Sequence, residues 1–356
     1  MESMFYHFKR WQVMYFLIRY AVYVIAIFMM CNILSTVKAS ANDDNRTKNE
    51  IIQLKMNYYF QFHDISLPWY YLAAVNQYER NIQDVRSDIP KRESIVAIQI
   101  PGDYWSGVLN PMKNDKVPLS IKFFDGMGLD GNGDGLADQH NDDDALFTMA
   151  KYLSEYGSSE KDFKLALMDY YRNELAVNQI LVIAKLYEKF GTKDINAHTF
   201  PIAIDYRFSY GNTWGANRGW GGRRSHEGTD IYANYGTPVL SASYGIVEVM
   251  GWNEFGGWRI GIRDNHNSYH YYAHLESFEK GLREGSIVKT GQVIGYVGST
   301  GYGKEGTSGK FPPHLHYGIY KFNGRIEWAF NPYPALLQWE KEAEKQKVES
   351  SLGEIS

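Results

Sequence analysis

The pattern of apolar and polar positions divides the chain into three stretches. Between Tyr20 and Val37 no residue is charged, and Ile, Val, Phe and Met are dense from Val22 to Met30. A run of about 18 such residues stands at the boundary between a signal peptide and a membrane-spanning helix. Lys9, Arg10 and Arg19 precede it, with no acidic residue after Glu2. Positive charge ahead of an apolar run leaves the N-terminus inside and sends the following chain outward. Ala39-Ser40-Ala41 offers a small-x-small cleavage site, while the bulky Met30 before Cys31 argues against a lipoprotein cysteine. Residues 1–41 are therefore expected to be a signal peptide or signal-anchor, with everything after them extracytoplasmic.

From about Ile51 to Gly191 the apolar residues recur at helical spacing. Ser66 and Pro68 read as the cap and first turn of a helix running to Glu79. Ala145–Leu153, Phe163–Leu167 and Ile180–Leu186 are further amphipathic helices. From Phe200 to about Tyr333 short β-type runs alternate with glycine: Val239-Leu240, Gly245–Val249, Trp258–Ile262, Tyr269–Leu275 and Val293–Val297. The expectation is an α+β chain, with a helical domain over 51–191 and a mainly antiparallel β domain over 200–334. Gly191 to Thr199 is the hinge, and 335–356 a charged tail that frays after Gln338.

Composition narrows the chemistry. The 37 Lys and Arg nearly balance 41 Asp and Glu, for a net charge of −4, which argues against a nucleic-acid partner. A single cysteine, Cys31, permits no intrachain disulfide and no cysteine metal site. Any metal must then be held by His, Asp or Glu. Aromatic residues reach 15% of the chain, suited first to a β-rich core and otherwise to a carbohydrate or peptide groove.

Six of the ten histidines lie between positions 226 and 316. His226 and Asp230 stand four apart, His274 ends a strand in Tyr272-Ala273-His274-Leu275, and His314-Leu315-His316 puts two imidazoles on one face of a strand. A hydrolytic zinc takes three N/O ligands and keeps one position open for water. Two further histidines could then take the proton of that water and stabilise the oxyanion. His270 shares the His274 face by parity and competes for its place, whereas His266 reads as a turn residue.

These segments, with Gly236-Thr237-Pro238-Val239, Gly291-Gln292-x-Ile294-Gly295 and Gly298-Ser299-Thr300-Gly301 between them in order, resemble the lysostaphin/LytM-type peptidoglycan metallopeptidases. The resemblance implies that His226, Asp230 and His316 bind zinc, that His274 and His314 act on the water, and that peptidoglycan is the partner. The first half resembles lytic transglycosylases more weakly. Pro68–Glu79 is similar to the helix ending in their catalytic acid, and Gly128–Asp138 to their Asp/Gly loop. Glu79 is followed by Arg80 where that family has Ser. An adjacent cation would favour an ionised carboxylate, the wrong state for a general acid. Glu79 is thus expected to be a surface residue, with a glycan-binding or spacing role for the domain. In the loop, Asp130, Asn132 and Asp134 with Gly135 have EF-hand-like spacing and suggest calcium, although Asn141 stands where the bidentate Glu belongs.

The layout of anchor, helical segment and LytM-type domain is similar to that of L-Ala–D-Glu endopeptidases of spore-forming Bacillus relatives, which trim cortex stem peptides. The expected function is therefore a zinc endopeptidase of peptidoglycan, membrane-held if the anchor is uncleaved. A bifunctional hydrolase that also cuts glycan, or a non-catalytic wall-binding scaffold, are the other readings.

Overall fold

The computed structural model describes Tyr59, residues 65–219 and residues 222–353. The expected signal or anchor over 1–41, with Cys31, lies outside the described residues. Among those described, no helix is long and apolar enough to cross a membrane. Tyr59 to Ser356 forms one compact unit.

The helical part comprises α1 (Trp69–Val85), α2 (Gly102–Trp105), α3 (Pro118–Phe123), α4 (Asp142–Glu155), α5 (Glu160–Tyr171) and α6 (Glu174–Phe190). Their apolar stripes meet in a core that includes Leu72, Val75, Leu146, Phe163, Ile180 and Ile183, all nearly without solvent contact. The expected cap of the first helix is displaced. Pro68 is the N-cap and has no side-chain bond, while Ser66 sits at φ 56° in the preceding turn. Helix α5 starts with a capping box of Ser159 and Asp162, and α6 ends on Gly191 at φ 63°.

The loop before α4 does not support the calcium expectation. Both carboxylate oxygens of Asp130 accept loop amides, from Gly133 and Gly135, at 2.7 and 2.8 Å. Asn132 donates to Asp134, and Asp134 accepts from Leu136. Asp144 on α4 accepts from Gly131, Asn132 and Asp138, pinning the loop to the helix. Asn141, at the position of the missing Glu, caps α4 by accepting from Asp143 and Asp144. The acidic residues are thus used as turn and cap acceptors.

The strands are β1 (Phe208–Tyr210), β2 (Asn217–Arg218), β3 (Arg224–Ser225), β4 (Thr229–Ala233), β5 (Pro238–Leu240), β6 (Gly245–Asn253), β7 (Gly257–Arg263), β8 (Ser268–Phe278), β9 (Ile287–Val288), β10 (Val293–Val297), β11 (His314–Phe322) and β12 (Glu327–Phe330). One antiparallel sheet runs β1-β4-β11-β8-β7-β6-β9; β12 pairs with β11, and β10 joins β8 to β5. Strand β11 alternates from His314 to Ile319. Leu315, Tyr317 and Ile319 enter a core with Phe200, Ile231, Ile260, Tyr272 and Val297, which leaves His314 and His316 on the opposite face.

Asn81 of α1 reaches the β7–β8 turn, donating to the Asn265 carbonyl and the Asn267 side chain at 3.0 and 3.1 Å. The charged tail does not fray at Gln338. It forms α7 (Tyr333–Gly353), because Leu336 and Trp339 recur three apart and both bury in the sheet core. Leu336→Ala should lower unfolding stability by about 2–4 kcal/mol, read from the denaturant midpoint; an unchanged midpoint would mean that the helix contributes nothing to the core.

Candidate active site

The register of β4 against β11 assembles the first part of the site. His316 lies opposite Asp230 and His314 opposite Tyr232, while His226 precedes β4. Asp230 Oδ1 lies 3.0 Å from His226 Nε2 and 3.1 Å from His316 Nδ1. The two imidazole nitrogens approach to 2.8 Å. His226, Asp230 and His316 therefore offer two nitrogens and one oxygen within 4.8 Å of one another, a group that could hold a metal ion. This donor set suits a tetrahedral ion with one position left open.

Thr213 supports two of the three. Its carbonyl faces His226 Nδ1 at 2.8 Å, and its hydroxyl accepts the Asp230 amide at 3.1 Å. A carbonyl can only accept, so Nδ1 carries the proton and His226 Nε2 presents its lone pair to the group. Arg218 donates to the other oxygen of Asp230. Burial alone would raise the Asp230 pKa, but the His226 and His316 rings close to it outweigh this and hold the carboxyl well below its usual range.

Gly228, between His226 and Asp230, has a packing reason. A β-carbon there would lie 2.5 Å from His316 Cε1 and 2.7 Å from the Tyr317 carbonyl oxygen, so the imidazole occupies the space that any side chain would need.

His274 arrives by a different device. On β8, Trp258 faces Leu275 while Ile260 faces Tyr272, so Ala273 and His274 together oppose one residue of β7. This β-bulge reverses the alternation, and His274 itself takes φ 63° with its amide donating to the Gly256 carbonyl at 2.7 Å. Its ring centroid comes to 4.8 Å from that of His314 and 6.0 Å from that of His316. The parity that grouped His270 with His274 therefore fails. His270 stays on the core face, between Tyr317 and Asp264. His266 sits in the β7–β8 turn against Asn196.

His274 Nδ1 faces the Thr300 carbonyl at 2.7 Å, and His314 Nδ1 faces that of Pro312 at 2.8 Å. As with His226, this leaves each Nε2 as the basic atom; that of His314 lies 3.7 Å from Asp230 Oδ1. Burial, reinforced by the neighbouring imidazoles, pushes His274 well below the ordinary histidine range, and burial also lowers His314 and His316. These three rings are neutral near pH 7.

The cleft also contains residues that the sequence reading did not single out: Arg218, Arg224, Tyr271, Tyr302 and Phe311. Arg224 lies over the Phe255 and Tyr302 rings, 4.8 and 5.8 Å from their centroids. None falls in a spaced motif, and only the tertiary fold, which brings residues of several segments to one cleft, reveals them.

Glu79 lies elsewhere, within the helices; it is half-buried, and among the described residues no cation is paired with it. Tyr171 donates to its carboxylate at 2.6 Å, and Tyr78 packs edge-on against Tyr171. Arg80 is directed away, its guanidinium bound to the carbonyls of Arg92 and Ser94. Burial raises the Glu79 pKa to about 7, although the Tyr171 bond opposes the shift. The expected influence of Arg80 is thus absent, because adjacent helical residues point apart.

Gly228→Ala should push the His316 ring out of position and weaken metal affinity by about 10-fold or more. Chelator competition measures this, and wild-type affinity in the variant would show that the close approach is not needed.

Residues 224–331 match peptidase family M23. The L-Ala–D-Glu endopeptidase of Bacillus subtilis (strain 168) is 52% identical over 304 residues, 85% of this chain and 93% of that protein. Lysostaphin of Staphylococcus simulans is 38% identical over 94 residues, 26% of this chain and 17% of that protein. The solved catalytic domain of the S. simulans enzyme aligns with a TM-score of 0.31 at 33% identity, covering 39% of this chain and 98% of that one. With one relative matched along nearly its whole length, the chain belongs to peptidase family M23 and is a metalloendopeptidase.

Proposed function

We propose that this protein is an extracytoplasmic zinc endopeptidase that hydrolyses the L-Ala–D-Glu bond of peptidoglycan stem peptides, with the spore cortex as the wall it trims. The observation that carries the chemistry is the convergence of His226, Asp230 and His316 beside the two Nε2-basic imidazoles, His274 and His314. The choice of bond is supported by the 52% identity to the B. subtilis L-Ala–D-Glu endopeptidase across 93% of its length. The N-terminal apolar run supports export.

The two-nitrogen, one-oxygen donor set fits zinc, and His226, Asp230 and His316 would be its ligands. Zinc bound there supplies Lewis acidity to a water and to the scissile carbonyl. The remaining work falls to the chain. Arg218 holds the second Asp230 oxygen and fixes the carboxylate plane. The neutral Nε2 of His274 or His314 accepts a proton as the water oxygen bonds to the carbonyl carbon. The same pair returns a proton to the departing amine when the C–N bond breaks. Arg224, held over two rings at the cleft wall, supplies positive charge for the carboxylate of the D-Glu residue.

Alanine at His274 or His314 should reduce turnover about 10² to 10⁴-fold with bound zinc retained, whereas His316→Ala should lose both zinc and hydrolysis. Mass spectrometry of digested muropeptides should find new D-Glu amino termini. Cleavage at another bond would refute the substrate assignment while leaving the chemistry intact.

A second activity is favoured by the Glu79 site. A carboxyl titrating at about 7 beneath Tyr171 is protonated often enough near neutrality to serve as a general acid toward a glycosidic oxygen. On this reading the protein also cuts glycan. Its anhydromuramic ends should diminish as pH rises through about 7, because the acid must be protonated. Glu79→Gln should abolish them and leave peptide release unchanged. Absence of such ends at pH 6 would confine the helices to glycan binding or spacing.

A further inference from the structure

A second His-Asp-His group lies on the face of the sheet opposite to the hydrolytic cleft. His198 comes from the segment entering the sheet, Asp264 from the end of the β7 hairpin and His270 from β8. Asp264 Oδ2 is 3.1 Å from His270 Nε2 and 3.9 Å from His198 Nε2, and the three ligand atoms lie within 4.8 Å of one another. We infer that His198, Asp264 and His270 form a second zinc site, structural in role, that clamps the entering segment and the C-terminal helix to the sheet.

The separations bracket the roughly 3.3 Å edge expected between ligands of a tetrahedral ion with bonds of about 2.0 Å. The shorter one matches the first group, where Asp230 Oδ1 stands 3.0 and 3.1 Å from its two imidazoles. The outer contacts suit a ligand set. Asp264 Oδ1 is fully engaged by the amides of His266 and Ser268, at 2.7 and 2.8 Å, so Oδ2 is the oxygen turned toward the imidazoles. His270 Nδ1 meets the Tyr317 hydroxyl at 2.7 Å, a partner able to accept its proton and leave Nε2 free to coordinate. His198 stacks on Trp339 with centroids 5.0 Å apart and planes within 5°, which holds its ring in place.

Charge supplies a second argument. Asp264 is 1% exposed, and the imidazoles of His270 and His198 face its Oδ2. Arg263, the adjacent cation, gives its guanidinium to Glu248 and Glu327. A buried carboxylate is costly unless a cation joins it. The His198 side chain, 25% exposed, leaves an entry path for the ion.

Metal analysis of the full chain after equilibration with zinc and gel filtration tests the assignment. Wild type should hold two zinc ions, His198→Ala one and His316→Ala one. His198→Ala should keep hydrolysis within about threefold of wild type. Should His198→Ala fold poorly, cobalt titration of His316→Ala replaces it, with visible absorption bands of a tetrahedral N/O site expected. One ion in wild type that His198→Ala keeps and His316→Ala loses, two in His198→Ala, or no bands in cobalt-loaded His316→Ala would overturn the second site. A failure of the hydrolytic zinc would register separately, as an unchanged count in His316→Ala.

Discussion

The active half of the molecule depends on one buried carboxylate. Asp230 shares a single oxygen between His226 and His316 and gives the other to Arg218. These contacts keep it ionised in an environment that would otherwise protonate it. They also draw together three separate pieces of chain: the glycine-rich segment before β4, β4 itself and β11. Without that charge, neither imidazole would have a reason to leave the solvent, and the antiparallel register of β4 and β11 would carry no chemistry.

Around this anchor, orientation comes from backbone carbonyls more than from other side chains. Thr213, Thr300 and Pro312 each face an Nδ1 and thereby select the tautomer with a basic Nε2. Three histidines on three elements thus present the same atom to one cleft. Acceptor carbonyls cannot change role, so this choice of tautomer is fixed by the backbone. The β8 bulge completes it by moving His274 across the sheet while leaving His270 behind.

The helical part is joined to this sheet rather than hung beside it. Asn81 on α1 bonds to the β7–β8 turn, close to Asp264, and α7 packs back under the sheet through Leu336 and Trp339. The segments flanking the sheet converge on its core face, opposite to the cleft. The helices keep a half-buried acid, Glu79, beside Tyr78 of α1 and Tyr171 of α5. Tyr71 stacks on Phe163, with centroids 4.0 Å apart.

Much was legible in the sequence because it was periodic or local. Helical spacing located α1, α4, α5 and α6, glycine-bounded runs located β5 to β8 and β10, and alternation placed His314 and His316 on one face. The order of motifs placed His226, Asp230, His274, His314 and His316 in one family pattern. What escaped was long-range. The fraying tail became a helix because the sheet core offered its apolar residues a place to bury. The calcium spacing became a hydrogen-bonded turn because nearer amides took the carboxylates. The Arg80 guanidinium missed Glu79 because helix geometry sends neighbours in different directions. His270 and His274 parted because a bulge, which depends on pairing with another strand, breaks period two. Residue type and spacing therefore determined which groups the protein has for its chemistry. Only the tertiary structure decided which of them meet, since burial, strand register and backbone φ are set by contacts between residues far apart in the chain.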